Sequence, residues 1–171
     1  MKNKLLVNVG LSLLIALFMV SCFDTGIDQP ELEHTEEVEL QLLKKYIDSL
    51  DVRYDVDTTD MGVYYVIIEE GEGDYPNAGD TLTVGYSGYL INGFMFDSSD
   101  IYYSDGKWEF ILGDSTLVPG FNDGMKNINK GGLIQLVIPS DLAFGSTGSA
   151  NVGPYETLVF VVELFDLKPS E

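Results

Sequence analysis

The chain has 171 residues, 45% of them hydrophobic, and its 28 acidic residues against 9 basic ones give a formal net charge of −19 at pH 7. A charge of that sign repels nucleic-acid phosphates and anionic lipid surfaces, which argues against nucleic-acid binding. The single cysteine excludes a disulfide within the chain. One histidine and one cysteine also argue against a zinc site, so no metal or cofactor is expected.

The N-terminus has the order of an export signal. Lys2 and Lys4 precede an apolar run over residues 9–20, which leads to Cys22. The run is shorter than the roughly 20 residues that a helix needs to span a bilayer. We therefore predict a signal peptide over residues 1–21. Its boundary resembles a bacterial lipoprotein signal, which implies lipidation at Cys22; the alternative is an ordinary signal peptide with an incidental thiol.

An acidic and polar segment over residues 22–34 follows, without hydrophobic periodicity. This composition is typical of a flexible tether. His34 lies in the tether with no serine or aspartate held beside it, so we do not predict a catalytic role for it.

Residues 35–50 predict an amphipathic helix with Thr35 as its N-cap, because apolar side chains recur there at steps of three and four. The apolar stripe consists of Val38, Leu42, Leu43, Tyr46, Ile47 and Leu50. Two partners for this stripe are open: the domain that follows, which is the simpler, or a second copy of the chain in a homodimer. The aspartates after the helix lack the glycine and the closing glutamate of a calcium loop, so residues 35–60 are predicted to be the helix and a linker.

From Met61 onward the period of the apolar residues drops to two, which predicts β-strands. The alternating apolar positions are Val63, Tyr65 and Ile67, then Leu82, Val84 and Tyr86, then Ile134, Leu136 and Ile138, and finally Leu158, Phe160, Val162 and Leu164. Between the second and third of these groups, Asn92 and Gly93 predict a two-residue hairpin loop.

One short helix is predicted within the strand region, over residues 118–125. Pro119 suits its first position, and Phe121, Met125 and Ile128 share a face. The fold class is therefore predicted to be α+β, with a curved antiparallel sheet around one short helix over residues 61–171, preceded by the amphipathic helix.

Four stretches of the strand region occur in an order and at spacings that resemble a known family. They are VGYSGYLINGFMFDSS, WEFILGDSTLVPGFNDGM, LVIPSDLAFGSTG and ETLVFVVELFDL. Together they resemble the FKBP domains of peptidyl-prolyl cis/trans isomerases, over about residues 61–168. The resemblance implies a half-barrel sheet wrapped on the helix around Phe121, with a proline-binding pocket between them.

The resemblance also implies which residues form that pocket. Those assigned to catalysis are Tyr86, Phe96, Asp97, Val118 and Phe144. Those assigned to substrate binding are Trp108, Phe110, Leu117, Phe121, Val152 and Phe160. The backbone N–H of Val118 is implied to donate to a substrate carbonyl, and the Tyr86 hydroxyl to pair with Asp97.

The sequence departs from the family pattern at two of the pocket positions and in the loop after Phe144. Phe121 stands where tryptophan is most frequent, and Phe144 where a tyrosine hydroxyl usually donates to a substrate carbonyl. Ser149 replaces a common histidine. We expect these changes to alter substrate affinity and macrolide inhibition more than activity, because the pocket stays apolar.

The chemistry implied by the resemblance is rotation about an X-Pro amide, whose barrier is ~18–20 kcal/mol. An apolar pocket disfavours the planar amide, with its separated charge, more than the twisted one, so we predict catalysis by desolvation and shape. Proton transfer by Asp97 is the alternative mechanism. The alternative function is that of a non-catalytic, membrane-tethered chaperone or scaffold that binds extended Pro-containing segments.

The predicted partners are Pro-containing segments of exported or unfolded proteins, and the family resemblance adds macrolide inhibitors. The layout resembles that of extracytoplasmic FKBP lipoproteins of Gram-negative bacteria. Phe23, rather than the aspartate that marks inner-membrane retention in enteric bacteria, follows Cys22. We therefore expect a lipid anchor in the outer membrane, on its periplasmic side.

Overall fold

A computed structural model describes residues 34–170 of the chain. The predicted signal peptide, the predicted lipidation site at Cys22 and residues 22–33 of the predicted tether lie outside the described residues. Within residues 34–170, no helix is both long and apolar enough to cross a membrane.

The described residues form three α-helices and seven β-strands. The helices are α1 (Glu36–Asp51), α2 (Ser99–Tyr102) and α3 (Pro119–Gly124). The strands are β1 (Asp57–Thr58), β2 (Tyr64–Glu69), β3 (Thr81–Leu90), β4 (Met95–Ser98), β5 (Trp108–Ile111), β6 (Leu133–Ile138) and β7 (Leu158–Lys168). Short 3₁₀ turns occupy Met125–Asn127 and Ser140–Leu142.

All seven strands belong to one antiparallel sheet of order β1-β2-β6-β7-β3-β4, and β5 also pairs with β3. Strand β3 pairs with β7 along its whole length, from Thr81 to Leu90. Its other edge is divided, since β5 lies opposite residues 81–84 and β4 opposite residues 87–89. An open antiparallel sheet with few short helices confirms the predicted α+β fold.

Helix α3 packs against β6, and its two glycines allow the close approach. A Cβ atom at Gly120 would overlap Cγ2 of Ile138, and one at Gly124 would lie 2.7 Å from both Cδ atoms of Leu136. Glycine weakens an isolated helix, so the sheet must hold this one in place. The same residues that make α3 a poor helix are therefore the ones that fit it to the sheet.

The predicted core face of this helix is confirmed, but its length is not. Phe121, Met125 and Ile128 are 4%, 0% and 1% exposed. The α-helix ends at Gly124, however, and Met125 begins the 3₁₀ turn.

Helix α1 begins and ends within one residue of its predicted bounds, and the Thr35 hydroxyl caps it by accepting a hydrogen bond from the Val38 N–H at 3.3 Å. Its central residue Leu43 packs against Val137 and Val159, which are cross-strand partners on β6 and β7. Tyr46, Ile47 and Leu50 of the predicted stripe join the same cluster. The stripe therefore covers the sheet of its own chain, on the face opposite the main core.

Three details of the sequence prediction are wrong. Leu42, predicted to lie in the buried stripe, is 39% exposed. The linker contains a short strand, β1. The β3–β4 hairpin is present, but Asn92 lacks the positive φ that a two-residue type I′ loop needs, and Gly93 alone has it, at +87°. The loop is longer than predicted because the register between the strands shifts at Gly88.

We expect Leu43→Ala to lower the free energy of unfolding by about 2–5 kcal/mol, because it opens a cavity between α1 and the sheet. Leu40 lies on the same helix but is 57% exposed, so Leu40→Ala should change stability by no more than about 0.5 kcal/mol. Urea unfolding of the purified protein measures both values. Equal effects of the two substitutions would contradict the docking of α1 on β6 and β7.

Candidate active site

Six aromatic side chains from five elements meet on the core side of the sheet, and we call them the ring cluster. Its members are Tyr86 of β3, Phe96 of β4, Trp108 and Phe110 of β5, Phe121 of α3 and Phe160 of β7. The antiparallel register explains the convergence, because Trp108 lies opposite Val84 and Phe110 opposite Leu82 on β3. Residues that are far apart along the chain thus reach one face of β3.

The rings contact one another in edge-to-face, tilted and stacked pairs. Phe160 lies at the centre, with ring centroids 5.2 Å from Phe121, 5.5 Å from Phe96 and 6.1 Å from Tyr86. Trp108 stacks on Phe110 at 4.5 Å and meets Tyr86 edge-on at 5.4 Å. Such arrangements suit the ring quadrupoles and hold each ring in one orientation.

The ring cluster has a buried floor and a half-exposed rim. Phe110, Phe121 and Phe160 are 8%, 4% and 7% exposed, whereas Tyr86 and Trp108 are only half-buried. An apolar group from outside would therefore meet the rim rings edge or face first, above a floor with little exposure to water.

Gly88 gives two of the rings room to meet. In the register it lies between Phe160 on β7 and Asp97 on β4. A Cβ atom at Gly88 would lie 2.9 Å from Cζ of Phe96 and 3.0 Å from Cε1 of Phe160. Any larger residue would push the two rings apart.

The carboxylate of Asp97 lies at the polar edge of this apolar site. The Tyr86 hydroxyl donates to Asp97 Oδ2 at 3.0 Å, as the family resemblance implied, and the Ser98 N–H donates to Oδ1 at 2.9 Å. Both carboxylate oxygens are therefore satisfied by neighbouring groups. Burial, followed by the hydrogen bond and the negative charge of Asp97, raises the pKa of Tyr86 well above its ordinary value.

The backbone of Tyr86 is held by Ser99. The Tyr86 N–H donates to Ser99 Oγ at 3.0 Å, and this hydroxyl lies 3.3 Å from the Tyr86 carbonyl, to which it donates. Ser99 is 2% exposed and stands at the start of α2, where β4 has stopped pairing with β3. It replaces a missing strand partner and so satisfies the backbone N–H and carbonyl of Tyr86.

The remaining predicted site residues pack on the same core. Leu117 and Val118 precede α3, while Phe144 and Val152 lie in the loop between β6 and β7. The Val118 carbonyl accepts hydrogen bonds from the first turn of α3. Its N–H donates to no group within the part of the chain that the structure describes, which fits the implied role of a donor to a ligand.

The structure thus brings all eleven residues implied by the resemblance to one apolar core and its polar edge. Their roles in binding and catalysis stay predictions. Gly88 and Ser99 were not predicted from the sequence. A glycine in the middle of a strand pattern was the available signal for Gly88, whereas Ser99 carried none, because its partner lies 13 residues away.

The fold is that of FKBP-type isomerases, and the FKBP-type peptidyl-prolyl cis-trans isomerase family model matches residues 73–165. The chain belongs to this family, as its four sequence stretches predicted. It is 42% identical to the FKBP-type peptidyl-prolyl cis-trans isomerase FkpA of Escherichia coli K12 over 127 residues, which are 74% of this chain and 46% of that protein. FkpA of Buchnera aphidicola subsp. Baizongia pistaciae is 38% identical over 79% of this chain and 51% of its own length.

Solved structures agree with these relatives. The crystal structure of FkpA from Escherichia coli superposes with a TM-score of 0.70 at 38% identity, over 80% of this chain and 62% of that one. A peptidyl-prolyl cis-trans isomerase of Pseudomonas syringae pv. tomato gives a TM-score of 0.66 at 28% identity, over 79% of this chain and 97% of that one. The chain spans about half the length of the curated relatives that it matches.

Tyr86 predicts an alkaline loss of stability. Because its pKa is raised in the folded state, the stability it contributes is fully present below its unfolded value near pH 10 and is lost as pH rises beyond it. The advantage of the wild type over Tyr86→Phe should therefore shrink between pH 9 and 12, by less than about 1.4 kcal/mol per pH unit, since the half-exposed ring is partly screened.

Urea unfolding of both proteins at several alkaline pH values measures this difference. Tyr54→Phe, which removes the hydroxyl of an exposed tyrosine, is the matched control and should stay parallel to the wild type. Parallel curves for Tyr86→Phe would contradict the raised pKa.

Proposed function

We propose that this protein catalyses the cis/trans isomerisation of X-Pro peptide bonds, with the proline ring seated against the ring cluster. The observation that carries the proposal is the ring cluster itself, with its buried floor, its half-exposed rim and the Tyr86–Asp97 hydrogen bond at its edge. Membership of the FKBP-type family supports it.

The site would act by desolvation and shape. Rotation about the amide breaks no bond, but the planar amide keeps a charge separation that the twisted amide has partly lost. A pocket walled by aromatic rings offers little solvation to the planar form, so it favours the twisted form. The N–H of Val118 would hold a carbonyl beside the proline, which fixes the direction of the peptide while the amide turns.

Asp97 would serve as a polar fixture of this pocket. It accepts the Tyr86 hydroxyl and so orients a ring of the rim. A role in proton transfer is the alternative mechanism, but rotation about a single amide needs no proton carrier. The direction of the hydrogen bond also places the proton on Tyr86, whose pKa is raised.

We also propose that the chain works outside the cytoplasm, on exported proteins that must fold there. The support is the N-terminal sequence, with its apolar run and Cys22 at the predicted cleavage site. In this proposal a lipid on Cys22 holds the domain at the outer membrane, on the periplasmic side. The partners would be extended Pro-containing segments of unfolded chains.

A second function has one structural observation in its favour. Phe121 and Phe144 fill positions where the family most often has tryptophan and tyrosine, and neither can donate a hydrogen bond to a ligand. A pocket of this kind would still bind proline while turning it over slowly. The alternative is thus a non-catalytic chaperone or scaffold, and a protease-coupled assay with a proline tetrapeptide distinguishes the two.

Asp97→Leu should lower kcat/KM for a proline tetrapeptide by about tenfold, because it removes one charge-assisted hydrogen bond and frees the ring of Tyr86. Asp74→Leu, at an exposed position outside the site, is the matched control and should leave kcat/KM unchanged. Unchanged turnover in Asp97→Leu would refute the anchoring role of the carboxylate.

The turnover should also be independent of pH between about 6 and 8, since the desolvation mechanism moves no proton. The same tetrapeptide assay with a pH-tolerant protease, or direct observation of the isomers by NMR, gives the profile. A bell-shaped curve would instead indicate acid–base chemistry at Asp97.

A further inference from the structure

Helix α1 carries a buried carboxylate in its first turn, on the face that packs against the sheet. Glu39 is 6% exposed and precedes Leu43 by one turn. Its Oε1 accepts hydrogen bonds from the Ser140 N–H and the Thr157 hydroxyl, both at 2.7 Å. Its Oε2 accepts the Ser140 hydroxyl at 2.5 Å. A buried acid is tolerated when its oxygens are satisfied in this way.

The two partners of Glu39 lie at the two ends of the loop between β6 and β7. Ser140 comes two residues after the end of β6, and Thr157 directly precedes β7. The segment between the strands, residues 139–157, carries Phe144 and Val152 of the candidate site. The carboxylate of Glu39, on helix α1, therefore joins the two ends of this loop by hydrogen bonds.

Backbone hydrogen bonds connect Ser140 to the residues on either side of Phe144. The Ser140 carbonyl accepts from the N–H groups of Ala143 and Gly145, at 2.9 and 2.8 Å, on either side of Phe144. The Gly145 carbonyl in turn accepts from the Tyr155 N–H at 3.0 Å, which joins the outgoing half of the loop. The backbone around Phe144 is thus held by Ser140, which Glu39 holds in turn.

A second contact lies on the same side of the loop. His34 Nδ1 is 3.1 Å from Glu156 Oε1, and His34 also lies beside Gly153. His34, just before α1, therefore contacts the part of the loop that leads into β7, while Glu39 contacts both ends of the loop.

We propose that Glu39 is a positioning residue for the isomerase site, acting through Ser140 and Thr157 on the loop that supplies Phe144 and Val152. The inference rests on the proposed function for its effect on catalysis. Stability alone gives little reason for the acid, because an apolar residue of similar size at a buried ionic position is often as stable or more so. What an apolar residue cannot do is hold three donors of the loop in place.

Three variants of the full-length protein test the proposal. Glu39→Leu removes every acceptor while keeping an apolar side chain in the space. Glu39→Gln keeps Oε1 for Ser140 N–H and Thr157, and its amide can donate to the Ser140 hydroxyl in place of Oε2. Leu43→Ala is the stability control, since it weakens the packing of the same helix on Val137 and Val159 and removes none of the hydrogen bonds between Glu39 and the loop.

At a temperature where circular dichroism finds all three variants folded, Glu39→Leu should lower kcat/KM for a proline tetrapeptide by about tenfold, because small displacements of a wall residue are costly. Glu39→Gln should recover activity to within about threefold of the wild type, because its hydrogen bonds are largely kept. Leu43→Ala should keep wild-type kcat/KM. Equal losses in Glu39→Leu and Leu43→Ala, or no recovery in Glu39→Gln, would overturn the proposal.

Amide hydrogen exchange tests the hydrogen bonds between Glu39 and the loop without relying on catalysis. Glu39→Leu should speed exchange at Ser140, Gly145 and Tyr155 by about tenfold, whereas Leu43→Ala should speed it mainly within α1. If the wild type proves inactive while this exchange pattern holds, the proposed function is wrong but Glu39 does hold the loop. Unchanged exchange in the loop of Glu39→Leu would show that Glu39 does not hold the loop.

Discussion

The antiparallel pairing of β3 with β7 is the constraint on which the rest of the molecule depends. It runs from Thr81 to Leu90, and it places Gly88 opposite Phe160. The other edge of β3 holds both β4 and β5, which bring the remaining strand rings to the same face. A shift of one residue in this register would turn Tyr86 to the opposite face and disperse the ring cluster.

The two faces of the sheet serve different ends. One face packs on α3 and forms the main core with the ring cluster. The other is covered by α1 at Val137 and Val159, where strand residues on both faces are buried. Glu39 joins these two sides, because it reaches from the covering helix to the loop that borders the rings. A helix outside the family-matched segment is therefore hydrogen-bonded to the loop that carries Phe144 and Val152.

Local patterns predicted much of this architecture. The helical stripe indicated α1 and the period of two indicated the main strands, while four ordered stretches identified the family. What they could not predict depends on partners distant in sequence. Glu39 forms hydrogen bonds with residues 101 and 118 positions away in the sequence. The length of the β3–β4 loop depends on the register shift at Gly88, which the local sequence around Asn92 does not reveal. Leu42 shows a further limit, since periodicity cannot define the margin of a buried stripe.

The divided edge of β3 has a consequence for how this domain can vary. Strands β4 and β5 pair with separate parts of β3, and the gap at Tyr86 is closed by the Ser99 side chain rather than by another strand. The chain between Ser99 and Trp108 therefore has no register of its own to keep. Extra residues inserted there would extend into solvent, at a small entropic cost, and would leave every ring in place. This surface is where new sequence could be added beside the ring cluster without disturbing the strands that carry it.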